Sequence, residues 1–268
     1  MRMKSPRRAN AMLMIFALVY LVFVAGCSAP SESAAPVSVN LNSKPNPELL
    51  QQADQSYLDR ADLARVREGL ETLRRARAVD FGNYEVTWRT ARLNYTLGDR
   101  TTDKAEKEKA FKDGIEAGET AVKAAPEGVE GHFWLGANQG GYAQTRGPLY
   151  GLSAAEGLRK EMETVLKLDE GFQGGSAFMV LGRLDLELPS MLGGDPKRAV
   201  ETLERGMKYG ENNSLLRVQL AEAYIRVKRM NEAREQINFI LKMTPHQDFL
   251  PEHQESVTKA RELLEKRF

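Results

Sequence analysis

From Pro47 to Phe268 apolar residues return every three or four positions, the spacing that puts them on one face of an α-helix. The clearest unit is LLRVQLAEAYIRVKRMNEAREQINFILKMTP, residues 215 to 245. Leu220, Ala221 and Tyr224 predict one helix, Ala233, Ile237 and Ile240 a second, and Pro245 its stop. Small Ala221 and Ala233 fit where two antiparallel helices cross, while Tyr224 and Ile237 fill the space beside the crossing. No convincing β-branched alternating run bounded by hairpin turns interrupts this pattern, so the chain is expected to be all-α.

The order and spacing of residues 215 to 245 resemble a tetratricopeptide repeat (TPR), except that Arg217 stands at the usual first large position. Looser pairs precede it at spacings of about 34 to 45 residues, the range of paired-helix repeats. Trp88, Ala91 and Tyr95 open one whose second helix carries Phe111, Ile115 and Ala121. Phe133, Gly136, Ala137 and Gly140 open the next, and Phe178, Leu181 and Gly182 another that closes with Ala199, Leu203 and Gly206. A degenerate first pair spans about 48 to 80. The last segment places Val257, Ala260, Leu263, Leu264 and Phe268 on one face, as a capping helix would. The expectation is a TPR-like superhelix of four to five antiparallel helix pairs with a C-terminal capping helix, over residues 48–268.

The N-terminus has a different character. Arg2, Lys4, Arg7 and Arg8 precede an apolar run at 11–26, shorter than a membrane-spanning helix needs, and the run ends at the only cysteine, Cys27. Val24, Ala25, Gly26 and Cys27 resemble the bacterial lipobox. That resemblance implies cleavage before Cys27, lipidation of its sulfur, and a protein anchored to a bacterial membrane at its periplasmic face. Ser28 rather than aspartate after the cysteine favours the outer membrane. Residues 28 to 47, with four prolines and five serines, read as a flexible tether. The full chain has a formal charge of +1. Removing 1–26 takes four basic residues and no acid, leaving 34 against 37 and a charge of −3, which gives no reason to expect a nucleic-acid partner.

Two glycine-rich stretches raise the question of chemistry. GHFWLGANQGGYAQTRGPLYG, residues 131 to 151, has the composition of a phosphate loop, yet Gly136, Ala137 and Gly140 at helical spacing fit close helix packing, with Gly147 and Pro148 breaking the chain. In LGGDPKRA, Gly193 and Gly194 suit positive φ at a helix stop, Asp195 a helix cap and Pro196 the first helical position. No P-loop ending follows any glycine cluster, and His132, His246 and His253 lack metal-ligand spacing. Neither a catalytic residue, a metal site nor a cofactor is expected. An enzyme with a carboxylate-based site in the superhelix is the remote alternative.

The segment LGRLDLELPSMLGGDPKRAVETLERGM, with LKLDEGFQGG before it and FWLGANQGGYA earlier, resembles the T-component family of TRAP transporters, the tripartite ATP-independent periplasmic importers. The resemblance covers about 85 to 245. It implies a TPR-like periplasmic lipoprotein that assists a substrate-binding protein, with a pore through each protomer and trimeric assembly.

At 100° per residue, Trp134, Asn138 and Tyr142 lie on the side of their helix away from Phe133, Gly136, Ala137 and Gly140. The matching offsets select Arg89 and Leu93 in the preceding pair, Met179 and Arg183 in the next, and Val218, Glu222 and Arg226 in the last. With Arg146 these form a candidate groove for a ligand or partner, in which Arg183 and Arg146 could clamp a carboxylate of the kind TRAP systems import. The alternative is that Trp134 and Tyr142 belong to the core and the arginines bond helix ends. The expected function is that of a non-catalytic accessory of a TRAP-type importer that binds its substrate-binding protein; the alternative is a TPR scaffold for envelope assembly.

Overall fold

In the computed structural model, which describes residues 45–77, 81–245 and 250–268, short polar side chains start five of the helices. Asn46, Asn83, Asp103, Asp195 and Asn213 each accept a backbone N–H from the first turn that follows, satisfying donors with no partner inside the helix. The signal segment, Cys27 and the tether up to residue 44 lie outside the described residues, as does His246.

Eleven α-helices are present among the described residues, and no strand. They form five antiparallel pairs: α1 (Pro47–Leu58) with α2 (Leu63–Arg77), α3 (Tyr84–Arg100) with α4 (Lys104–Ala124), α5 (Val129–Arg146) with α6 (Pro148–Leu168), α7 (Ser176–Glu187) with α8 (Pro196–Gly206), and α9 (Ser214–Arg226) with α10 (Met230–Lys242). The last helix, α11 (Leu250–Arg267), covers α9 and α10, burying Ala260 completely and packing Val257, Leu263 and Leu264 on Ile237 and Ile240. The expected repeat with its cap is the observed architecture. Phe268 is the exception on the capping face: it is 38% exposed, with the Arg234 guanidinium 4.6 Å from its ring.

Small residues set the spacing between helices. Ala53, Ala91, Ala121, Ala199, Ala221 and Ala233 have no exposed surface. A Cβ on Gly118 would come within 2.8 Å of the Leu135 backbone, and one on Gly141 within 2.2 Å of the Phe111 ring, so α4 and α5 approach only because those side chains are missing. The 131–151 stretch is therefore one helix and a break. Gly147, at φ 86°, ends α5, and Pro148 begins α6.

The LGGDP turn is also structural, with one change from expectation. Gly193 takes φ 89° and closes a single 3-10 turn over Ser190–Leu192. Gly194 does not take positive φ; it is glycine because a Cβ there would lie 1.8 Å from the Leu188 carbonyl oxygen. Arg217, at the repeat's usual large position, fills that role with its stem and its plane: it is buried, with the guanidinium 3.5 Å from the Phe239 centroid and Nε donating to the Glu211 carbonyl at 2.8 Å.

Candidate functional site

Helix α5 decides the fate of half the expected groove. Because α3, α4 and α6 all pack on it, it has two buried faces rather than one. Trp134 is 4% exposed and meets Phe133, Tyr57 and Tyr95 ring to ring, with centroids 4.9, 6.1 and 5.7 Å away. Asn138 has no exposed surface, and its Nδ2 donates to the carbonyls of Ala91 at 2.9 Å and Trp134 at 2.7 Å, tying α5 to α3. Neither residue lines an open groove. Leu93 is likewise fully buried, and Met179 is half-buried against Val200, Leu203 and their neighbours. The helical-wheel offset failed at these positions because it presumes a single packed face.

Tyr142 is half-buried, edge-on to Tyr150 at 5.4 Å and under Lys112 Nζ at 5.5 Å. Arg146 is exposed, 3.5 Å from Glu108. Arg183 donates to Glu187 at 2.7 Å. Arg146 and Arg183, expected to clamp a carboxylate together, each face an acid of their own, and of the two only Arg183 lines the cleft formed by α7, α9 and α11.

Of the remaining expected residues, Arg183, Val218, Glu222 and Arg226 converge and Arg89 does not. Arg183 of α7, Val218, Glu222 and Arg226 of α9, and Glu255 and Lys259 of α11 line one cleft of about 610 Å³. Lys259 Nζ stands 3.4 Å from Glu222. Val218, Leu186, Ile225 and Leu263 supply an apolar floor. A cleft walled by both signs of charge over an apolar floor suits a polypeptide segment better than a small anion.

A second concavity, about 710 Å³, lies between α1 and α3 on one side and the segments at 173–174 and 208–213 on the other. Of its charged centre sequence reasoning found Arg89 and missed Asp54 and Arg92. Arg92, 8% exposed, lies between the Tyr57 and Trp88 rings, 4.2 and 4.8 Å from their centroids, and donates to Asp54 at 2.5 Å. Arg89 grips the same carboxylate through Nε and Nη2 at 2.9 and 3.0 Å. Burial pushes the Asp54 carboxyl up, but the hydrogen bonds and charges of Arg89 and Arg92 outweigh it and hold the group below its ordinary value. Burial also lowers Arg92.

Near the end of α3 the chain closes on itself. Arg60, 3% exposed, donates through Nε and Nη2 to Glu252 at 3.0 and 2.8 Å, and Arg100 reaches the same carboxylate at 2.9 Å. Glu252 belongs to α11, so the first two pairs are joined to the last helix. Burial raises the nearby carboxyls of Asp99 and Glu255, only partly offset by Arg100. Nothing in the sequence pattern marks Arg60 or Glu252 as partners, because they are 192 residues apart.

His132 is a structural residue. Its Nδ1 lies 2.6 Å from Glu161 and its Nε2 2.9 Å from the Pro126 carbonyl, so both nitrogens are occupied. Among the described residues no group of three or more histidine, cysteine or acidic side chains is placed to hold a metal ion, and no helix is long and apolar enough to cross a membrane.

Five helix pairs and a capping helix define a TPR-like superhelical fold. A family model described as "Regulator of microtubule dynamics protein 1-3" matches residues 49–267, and the chain belongs to that family. Among solved structures it is similar to TTC0263, a thermophilic TPR protein of Thermus thermophilus. The identity is 18%, the TM-score 0.60, and the match covers 81% of this chain and 98% of that one. A structure of MamA aligns at 14% identity with a TM-score of 0.45, covering 72% of this chain and 92% of that one. No curated protein sequence matches.

Proposed function

We propose that this chain is a non-catalytic docking scaffold, held at the periplasmic face of a bacterial membrane by lipidated Cys27, whose α7–α9–α11 cleft receives a segment of a partner protein. The observation that carries this reading is the convergence of Arg183, Glu222, Arg226 and Lys259 around an apolar floor. The partner we assign is the substrate-binding protein of a TRAP-type importer. The sequence from 181 to 207 supports that choice, as does the export signal ending in Val24-Ala25-Gly26-Cys27. The family description speaks of microtubule regulation, but an exported lipoprotein meets envelope partners rather than cytoskeletal ones, so the family match bears on the fold. A scaffold of envelope assembly shares the anchor and the cleft and differs in partner.

Copurification from membranes separates the two. A solute-binding protein is expected with the wild-type chain and is expected to be lost, with helix content unchanged, on Arg183→Ala with Arg226→Ala. Recovery of envelope-assembly components alone overturns the transport reading.

A further inference from the structure

The five turns inside the helix pairs follow one another along one edge of the array, and three of them are charged. They read DRAD at 59–62, RTTD at 100–103 and VKR at 227–229. The other two are adjacent: Arg146-Gly147 runs into PLYGLSAA at the start of α6, and LPSMLGG at 188–194 lies between Glu187 and the cap Asp195, so each has an uncharged stretch between flanking charges. Both present large apolar side chains to solvent. Met191 is 92% exposed, Leu149 85%, Leu192 54% and Tyr150 41%.

These tips are rigidly held. Leu192 and Gly194 both donate to the Pro189 carbonyl, at 2.8 and 3.1 Å, and Asp195 donates to that of Asp185 at 2.9 Å. The Asp185 side chain, 1% exposed, takes Arg198 of α8 and Arg159 of α6 at 2.6 Å each, locking the two pairs to each other. Tyr150 is braced edge-on by Tyr142. A monomer gains little from fixing a nearly fully exposed methionine and a half-exposed leucine in place, and apolar patches built this way mark contact surfaces.

We infer that this edge is a membrane-contacting surface: Leu149, Tyr150, Met191 and Leu192 dip into the interfacial layer of the bilayer that holds the lipid anchor. The inference rests on the lipid-anchor reading of Cys27. Two observations favour a bilayer over a protein as the occupant. The 17 residues between Cys27 and Pro45 span at most about 60 Å extended, about twice the length of α6, so the edge can reach the membrane. The tips also have apolar residues and a tyrosine at the centre, with exposed Arg146 and Lys197 at the margins beside the acids Glu156 and Glu187, a mixed rim in which the basic side chains can meet anionic headgroups.

The test uses the full lipidated chain in vesicles containing phosphatidylglycerol. Because Cys27 is the only cysteine and is acylated, Met191→Cys and Leu149→Cys each give one thiol for an environment-sensitive fluorophore. Phe81→Cys, 67% exposed at a turn between pairs, is the control. Labels at 191 and 149 are expected to shift emission to the blue and to be quenched by spin-labelled lipid, while the label at 81 does neither. If the protein floats with the vesicles but 191 and 149 behave like 81, the edge assignment is wrong and the anchor stands. A blue shift without lipid quenching puts the edge against protein and also overturns it. If the chain does not float at all, the anchor reading fails and the inference fails with it.

Discussion

Asn138 shows how one buried side chain sets the terms for its neighbours. Its amide nitrogen is committed to two carbonyls, and its carbonyl side faces Gly114 of α4, where a Cβ would stand 2.0 Å away. Gly114→Ala must therefore displace an anchored amide. It is expected to cost about 2 kcal/mol despite alanine's better helix propensity. Gly136→Ala meets mainly the terminal methyl of Met162, the far end of a flexible side chain, with Leu158 Cδ1 at 3.2 Å and Glu161 Cβ at 3.3 Å, and is expected to cost less than Gly114→Ala. Urea unfolding of the two variants checks the contrast; equal losses would mean that Asn138 is not held as described.

Single helices were legible and their surroundings were not. Asp195 and Pro196 begin α8 as local chemistry dictates, and Pro148 begins α6 after Gly147. The face that Trp134 and Asn138 use could not be read, because burial on that side comes from α3, which contributes Ala91 from 47 residues upstream. Arg183, Glu222 and Arg226 came out together because α7 and α9 have an open side, where the helical offset holds.

Between elements, the staple from α2 to α4 offers a second measurement. Arg67 donates to both Glu106 oxygens at 2.8 Å and Thr101 to one of them at 2.5 Å, which brings the Glu106 carboxyl down to about 2. A carboxyl held below its unfolded value stabilises the fold above that value and loses the effect as pH falls. The Tm of wild type is expected to exceed that of Glu106→Gln above pH 4.5, with the gap closing toward about pH 2. The pair is solvent-facing, so the gap is small and shrinks in salt. A gap that does not change with pH would assign the stapling to packing.

At the scale of the molecule, Glu252 is the meeting point of Arg60 and Arg100. Removing it leaves a buried guanidinium without its carboxylate. Glu252→Ala is therefore expected to cost about 3 kcal/mol, with α11 amides exchanging faster. A double-mutant cycle with Arg60→Ala is expected to give clear positive coupling. Additive losses would show that the seam contributes little.

That seam also sets a limit on how the array can change. An open stack of helix pairs can gain or lose a unit at little cost, since each touches only its neighbours. Here the turn after α1 must find a carboxylate 192 residues later, so the number of units between them is fixed by the need for the two ends to meet. A ribosome releases the first pair long before α11 exists, and Arg60 spends that interval without Glu252. An inserted or deleted pair would leave the join unmade.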